Sequence, residues 1–454
     1  YNNDGQVSLS YTYGSAKALT TYATLEKDYN WVNPGYTFVG WATTEDATTK
    51  TYSDGQSVSN LTTTANGIVK LYAIWSANEV TLDSNWREQI YTSVRSLPDV
   101  LGKWTEHTKI SQITGIKFVR ADDINIYGGG TIDGVNYGFG LGTSGEGLIL
   151  DSGIVVWCNK DKPTEIAFAW SNTIYAPEFS GYLFAANQDP SIELEDDLKL
   201  SSLTSLSLEN FNTHDTTNMM YMFFELNLLT SLDLSNSTEF YQCKQVTNMS
   251  FMFASCSALK SINLTGWNTQ SVTNMDGMFG KCSALTTITG IENIDTSSVE
   301  LMFRVFMGCS SLTTLNLSNW NTSHAQGFSH MFRNCTSLKT LNVSNWTFES
   351  ASSSAFSGMF LNCHDLTEIN LSSWDWTDFS NVIANDSNYN SVIEDMFTDC
   401  GYLDDIYMPY SLDNKVLLVA PSLMWAVNGP YVGHLGYNGQ EYDFLLVASY
   451  PVHY

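Results

Sequence analysis

Residues 271–288, SVTNMDGMFGKCSALTTI, decide the fold, because both halves of this stretch recur along the chain. Its closing phrase, most often Leu-x-x-Leu-x-Leu, begins at eight leucines that are 26 to 37 residues apart. These leucines are Leu203, Leu229, Leu259, Leu285, Leu312, Leu338, Leu366 and Leu403. A period in this range predicts a stacked-repeat architecture, since one such unit cannot bury its apolar side alone.

The closing phrase has the period of a β-strand. In one copy Leu315 and Leu317 are separated by the polar Asn316. Alternation of this kind predicts a short strand with its leucines buried and its polar side chains outward.

The first half of each unit spaces its apolar residues as a helix does. Met275, Met278, Phe279 and Cys282 lie at i, i+3, i+4 and i+7, and the Thr-Asn pair at 273–274 offers N-cap chemistry. We therefore expect a short helical segment in each unit. Together with the strands, it predicts an α/β fold built as a right-handed solenoid of about eight coils.

Six cysteines recur once per unit, at 256, 282, 309, 335, 363 and 400. They lack the paired short spacing of zinc sites, and their common phase predicts thiols that fill equivalent core positions without disulfides. Cys158 and Cys243 lie outside the series, and their pairing stays open. An aromatic residue also follows the strand in several units. This column, Phe211, Trp267, Trp320, Trp346 and Trp374, suits a packing ladder better than sugar stacking.

The repeated phrases resemble those of the BspA-like leucine-rich-repeat proteins of bacterial surfaces. The resemblance rests on 271–288 and on MFRNCTSLKTLNVSNW at 331–346, and residues 153–184 resemble the segment preceding such repeats. Unit four departs from the pattern with TGIENIDT, and Leu226 replaces the cysteine in an early unit. The resemblance implies a leucine-rich-repeat solenoid on an extracellular protein, at the bacterial cell surface or secreted.

The first 76 residues carry different motifs. GYTFVGW at 35–41, YSDGQSV at 52–58 and LYAIW at 71–75 resemble the internalin-type B-repeat, also called the Listeria–Bacteroides repeat. That resemblance implies a small β-grasp spacer module. We therefore divide the chain into a B-repeat at 1–76, an N-terminal cap at 77–200, repeats at 201–410 and a C-terminal cap at 411–454. A helix is expected from about residue 85 to 100.

The charge and hydropathy of the chain disfavour several classes of partner. The chain has 47 acidic and 20 basic residues and a net charge of −27, so nucleic acid is an unexpected partner. No apolar run is long enough to span a bilayer, so we expect no membrane insertion.

A GxGxxG at 140–145 precedes a strand pattern instead of a helix, which favours a loop over a nucleotide site. The acidic run at 193–197 favours a solvated edge over calcium binding. The seven histidines fit no catalytic motif, so we expect neither enzymatic activity nor a cofactor.

Two regions are candidate partner sites. If the leucines of each strand face inward, the polar residues between them form outward columns. The insertion at 374–390 adds aromatic residues among polar ones, a typical hot-spot composition. The partner-binding candidates are Asn316, Asn342, Asn370, Glu368 and Tyr407 on the strand face, and Trp376, Phe379 and Tyr389 in the insertion. These features favour a non-catalytic adhesin for a host cell-surface or extracellular-matrix protein. The alternative is a carbohydrate-binding surface protein for mucin or plant glycans.

Overall fold

The structure is a computed structural model of the 454-residue chain. It describes residues 15–29, 36–44, 47, 49–62, 64, 68–95, 110–120, 130–132, 135–137, 148–159, 162, 164–170, 173–187, 198–235, 243–352, 355–371, 373–374, 396–397, 399–401, 403, 405–407, 431–437 and 440–446.

The described part of residues 1–77 contains two antiparallel strand pairs and one helix. Its elements are β1 (Lys17–Ala18), α1 (Tyr22–Tyr29), β2 (Tyr36–Ala42), β3 (Ser57–Val58) and β4 (Tyr72–Ala77). Strand β2 pairs with β4 and β1 with β3. The ring of Tyr22 stacks on Phe38 with centroids 5.4 Å apart and meets Trp75 edge-on. These aromatic contacts hold the helix against the longer hairpin.

The next region supplies short strands and a second helix. Its elements are β5 (Val80–Thr81), α2 (Trp86–Arg95), β6 (Gly115–Arg120), β7 (Gly130–Ile132), β8 (Val135–Tyr137), β9 (Leu148–Ile149), β10 (Val155–Cys158), β11 (Glu165–Trp170) and β12 (Ile174–Tyr175), with a 3₁₀ turn at Ile110–Gln112. Helix α2 confirms the helix expected near residue 85. Strand β6 pairs in parallel with β11, and β5 pairs in parallel with β12.

The predicted strands occupy the eight repeated phrases. They are β13 (Ser205–Ser207), β15 (Ser231–Asp233), β16 (Ser261–Asn263), β17 (Thr287–Thr289), β18 (Thr314–Asn316), β19 (Thr340–Asn342), β20 (Glu368–Asn370) and β21 (Asp405–Tyr407), while β14 (Phe211–Asn212) follows the first of them. A hairpin of β22 (Tyr431–Tyr437) and β23 (Gln440–Leu446) comes last. Pairing between successive repeats is parallel and in register, as where Leu315 faces Leu341. The leucine-rich-repeat-like strand half is thus confirmed.

The strand ladder of the repeats continues into the preceding region. Strand β13 pairs in parallel with β6, which places Leu206 beside Ile116. A second ladder joins β14, β12 and β5, again in parallel. The sheet of the first ladder continues beyond β11 with two antiparallel strands, β10 beside β11 and β9 beside β10. Residues 77–200 therefore supply strands that extend the repeats.

The helical half of the sequence prediction is wrong. Between residues 201 and 407 the described chain contains no α-helix. The parts that connect its strands are tight turns and one 3₁₀ turn at Ile291–Asn293. The backbone is left-handed at Gly277 and Lys281, with φ of 60° and 61°, which no α-helix admits. The α/β class is therefore not observed in the repeats, which are built from strands and turns.

Backbone hydrogen bonds explain why turns replace a helix. The amide of Met278 donates to the carbonyl of Met275 within its own repeat, at 3.1 Å, whereas Phe279 donates to Val305 in the next repeat, at 2.8 Å. Alternate amides thus close turns and bridge repeats, whereas a helix would direct every amide to its own segment. The turns still place the apolar residues of the i, i+3, i+4, i+7 pattern inward, so that spacing did not distinguish them from a helix.

One phenylalanine per repeat forms a continuous stack through the core. The stacked residues are Phe184, Phe223, Phe253, Phe279, Phe306, Phe332, Phe360 and Phe397, with successive centroids 5.1 to 5.9 Å apart. Phe184 precedes the first repeated phrase. Its amide donates to Met222 as the equivalent amides do between repeats, so the segment around it has the conformation of a further turn unit.

A buried arginine lies on this first turn unit. The Nη2 atom of Arg87 donates to the carbonyl oxygens of Leu183 and Ala185, at 3.1 and 2.7 Å. The side chain is fully buried, and desolvation lowers the pKa of Arg87 to about 10. Arg87 thus satisfies carbonyls at the start of the turn stack that no earlier repeat reaches.

Candidate partner-binding surfaces

The strand face carries the polar columns that the sequence predicts. In β18 the central Leu315 is buried, whereas Thr314 and Asn316 on either side of it are exposed. The same holds for Thr340 and Asn342 in β19. Because β18 and β19 pair in register, the side chains align in rows across the strands. The result is a neutral, hydrogen-bonding surface in the middle of the repeats.

The asparagines of this face also have a structural task. Oδ1 of Asn342 accepts a hydrogen bond from the amide of Ser344 at 3.1 Å and from its hydroxyl at 2.8 Å. Oδ1 of Asn316 accepts one from the amide of Ser318 at 3.2 Å. These are Asx turns, which bend the chain where each strand ends. The Asn-x-Ser spacing in the sequence is their signal, and it went unused in the prediction.

The C-terminal part of the strand face is partly described. Glu368 and Asn370 are exposed on β20. The backbone of Asn370 pairs with that of Tyr407 on β21, so both belong to the same column. In the neighbouring column, the backbone of Glu368 pairs with that of Asp405.

Several sequence candidates lie outside the described residues. Among them are Trp376, Phe379 and Tyr389 of the insertion, the GxGxxG at 140–145 and the acidic run at 193–197. Their roles stay predictions.

The aromatic column after the strands is buried, as predicted. Trp346 and Trp374 are at most 1% exposed, and their rings stack with centroids 6.2 Å apart. The indole N–H of Trp346 donates to Leu317 at 2.9 Å, and that of Trp374 donates to Val343 at the same distance. Because ring faces and N–H groups are engaged inside the fold, this column offers no surface for sugar stacking.

The prediction about the cysteines is confirmed. All eight lie in the described part of the chain, and each is a buried thiol without a disulfide. In the six-membered series each Sγ donates to the carbonyl of a core phenylalanine in the preceding repeat, for example Cys282 to Phe253 at 3.0 Å. Desolvation raises the pKa of Cys256 and Cys335 to about 12. Such thiols are poor nucleophiles and poor metal ligands.

A second aromatic column, which sequence reasoning missed, lies partly exposed on the turns. Tyr182, Tyr221 and Phe251 occupy the same step of three successive turn units and stack with centroids 4.8 and 4.9 Å apart. We call these three residues the aromatic stack. All three have left-handed backbones, with φ of 54° to 58°. The available signal was their position, since the equivalent residues in later repeats are Gly277, Arg304, His330 and Gly358, all with positive φ.

Three basic residues lie in the turns of the repeats that follow the aromatic stack. The guanidinium of Arg304 lies 5.6 Å from the ring centroid of Phe251 and forms a two-point ion pair with Asp276, at 3.1 and 2.6 Å. Lys281 is exposed and Arg333 is half-buried. We call Lys281, Arg304 and Arg333 the basic group.

Neither a metal site nor a membrane-spanning helix is present among the described residues. No group of three or more His, Cys, Asp or Glu side chains there has the arrangement to hold a metal ion. No helix in the described ranges has the length and apolarity needed to cross a membrane.

Comparison with known proteins finds one matching family model and a similar protein of known structure. The family model described as "Mycoplasma protein of unknown function, DUF285" matches residues 199–289 and 283–396. The chain is also similar to a leucine-rich repeat protein of known structure from Bacteroides ovatus, at 18% identity and a TM-score of 0.23. That alignment covers 43% of this chain and 45% of the Bacteroides chain, less than half of each. No curated protein matches the chain.

Proposed function

We propose that this chain is a non-catalytic bacterial cell-surface adhesin that binds host cell-surface or extracellular-matrix proteins. The observation that carries the proposal is the strand face, where exposed polar side chains repeat in register from one strand to the next. A flat, hydrogen-bonding surface of this kind suits extended contact with another protein more than a small-molecule pocket. The strands and turns would form a right-handed solenoid of about eight coils, with a β-grasp B-repeat as spacer.

The state of the reactive side chains supports a binding role over catalysis. The cysteines are buried and their pKa values are raised, so they are unsuited to nucleophilic attack. The buried Thr269, Thr296 and Thr322 donate to backbone carbonyls of the next repeat, so their hydroxyls serve the stack.

Binding to a panel of purified matrix and host-surface proteins tests the proposal. We expect one or more to bind, and expect the substitutions Thr314→Arg and Thr340→Arg together to abolish binding, because two bulky charged side chains would then stand in the same row on neighbouring strands. The matched control, Gln270→Arg with Ser350→Arg, places the same groups on exposed residues away from the strands and should bind normally. Equal binding by both variants would remove the strand face from the site.

A glycan array separates the adhesin from the carbohydrate-binding alternative. The buried tryptophan column weakens that alternative, whereas the insertion aromatics Trp376, Phe379 and Tyr389 keep it open. Glycan binding that is lost on deletion of residues 375–390, without binding to any host protein, would replace the proposed function.

A further inference from the structure

We propose that the aromatic stack and the basic group form one binding site for an acidic protein segment that carries apolar side chains. The site lies on the turn side of the repeats, away from the strand face. It deepens the proposed function by naming a second surface and the chemistry of its partner.

Backbone contacts place the two halves of the site side by side. Phe251 of the aromatic stack is covered at one end by Arg304. The amide of Lys281 donates to the carbonyl oxygen of Met307. Gly308, which follows Met307 in the chain, donates its amide to the carbonyl oxygen of Arg333 at 2.7 Å. The three cations therefore come from three successive repeats, directly after the repeats that supply the aromatic rings.

The exposed side of the rings favours a protein over a sugar. Both faces of the Tyr221 ring are covered, one by Tyr182 and the other by Phe251, at nearly parallel orientations. Only the rim of the Tyr221 ring is therefore left for a partner, whereas pyranose rings bind aromatic faces. Phe179, which is 52% exposed, adds apolar surface beside the stack. Rims and apolar side chains of this kind pack against aliphatic or aromatic side chains.

Charge complementarity selects an acidic partner. The chain carries a net charge of −27, yet the basic group places one cation on each of three successive repeats. Arg304 is paired with Asp276, whereas Lys281 and Arg333 have no carboxylate partner among the residues that the structure describes. Glu300, at the corner before Arg304, instead accepts a hydrogen bond from Gln326. The repeats that hold the aromatic stack carry Glu178 and Glu225, which would repel acidic residues of the partner. The acidic residues of the partner should therefore contact the later repeats, which hold the basic group.

The backbone supports a role beyond structure for the aromatic stack. A bulky side chain at positive φ is unfavourable by about 1 kcal/mol or more, and glycine relieves that penalty. At this step two later repeats use Gly277 and Gly358, and the two repeats between them use Arg304 and His330, with φ of 56° and 58°. Three successive repeats nevertheless retain Tyr182, Tyr221 and Phe251 there, partly exposed.

The probe is a short synthetic peptide that alternates Glu with Tyr and Leu, measured by fluorescence anisotropy against the full chain at about 0.15 M salt. Its amide analogue, with Gln for each Glu, is the ligand control, and hyaluronan is the carbohydrate arm. We expect binding of the acidic peptide alone. Lys281→Gln with Arg333→Gln should weaken it about fivefold, because two rim charges are lost.

Matched variants keep the test independent of folding. Lys260→Gln with Lys339→Gln removes two exposed charges elsewhere and should leave the Kd unchanged. Tyr221→Gly introduces the residue that other repeats use and should weaken binding about tenfold, whereas Tyr221→Phe should bind normally. Equal Kd values for the acidic and amide peptides, no binding of either, or binding of hyaluronan instead would overturn the proposal.

Failure of the two proposals is distinguishable. Peptide binding at this site without any host-protein binding would overturn the adhesin function alone. Host-protein binding that depends on Thr314 and Thr340 but is unchanged by Lys281→Gln with Arg333→Gln, together with no peptide binding, would overturn this inference alone. Sedimentation tests whether a second copy of this acidic chain occupies the site. Self-association of the parent chain that is lost in Lys281→Gln with Arg333→Gln would identify the second copy as the occupant.

Discussion

The thiol of Cys335 donates a hydrogen bond to the carbonyl oxygen of Phe306 in the preceding repeat, with Sγ and O 3.1 Å apart. Five other cysteines make the equivalent contact. Each thiol therefore joins two repeats by a polar contact and fills a core position by its volume. This double role makes the cysteine series a sensitive point for the stability of the stack.

Replacing Cys335 by alanine should lower the free energy of unfolding by about 1 to 2 kcal/mol. The change removes a buried sulfur and the thiol hydrogen bond to the Phe306 carbonyl, which still accepts a hydrogen bond from the amide of Cys309 at 3.0 Å. Urea unfolding followed by circular dichroism measures the difference. Ser337→Ala, a partly exposed position two residues away, is the control and should change little. A loss no larger than the control's would show that the contact contributes nothing.

Alkaline pH should destabilise the repeats through the same thiols. Burial raises the pKa of Cys335 to about 12 from an ordinary value of 9.0. The folded state therefore holds the proton more tightly than the unfolded state. Its contribution is complete below about pH 9 and is lost as the pH rises toward 12.

Each such thiol adds up to about 1.4 kcal/mol per pH unit to the slope of stability against pH in that window. Cys335→Ala should accordingly show a shallower fall in urea midpoint between pH 9 and pH 11 than the parent chain. Parallel curves for parent and variant would contradict the assigned pKa.

Gly277→Ala should destabilise the chain more than Gly266→Ala. Both glycines have left-handed backbones, with φ of 60° and 88°, so alanine costs roughly 1 kcal/mol or more at either. Only at Gly277 would the new Cβ meet another group, the Phe251 ring, whereas nothing lies within 4 Å at Gly266. The clash adds about 1 to 3 kcal/mol.

Thermal unfolding of the two glycine variants separates the backbone penalty from the clash. Adding Phe251→Ala to Gly277→Ala should recover part of the loss, because the ring that obstructs the Cβ is gone. Similar melting temperatures for the two single variants would show that the Phe251 ring moves aside without cost.

Asp276 and Arg304 should show measurable coupling. Their two-point ion pair is partly buried, with Asp276 only 15% exposed in its side chain. A double-mutant cycle of Asp276→Asn and Arg304→Gln should give an interaction of about 0.5 to 1 kcal/mol at low salt. The exposed pair Lys162 and Glu165 serves as comparison and should give less. A coupling that does not weaken in high salt would argue against an electrostatic origin.

Sequence reasoning located the repeats, their strands and the core positions for a simple reason. Alternation around Leu315 has only one common structural meaning, and burial of Cys335 or Trp346 follows from a repeated apolar phase. The helix predicted at Met275 to Cys282 had no such unique meaning. Tight turns and helices both place side chains on one side every three or four residues. The spacing of apolar residues does not specify which carbonyl oxygen each backbone amide bonds to.

The sequence by itself determined the period of this protein, the places of its strands and the side chains that fill its core, because these depend on local polarity alone. The tertiary structure decided the rest. Contacts between repeats fixed the turn conformation, since the amide of Phe279 finds its acceptor at Val305, 26 residues later. The same contacts left Tyr221 at the surface and buried Trp346, two aromatic residues whose exposure depends on what the neighbouring repeats place against them.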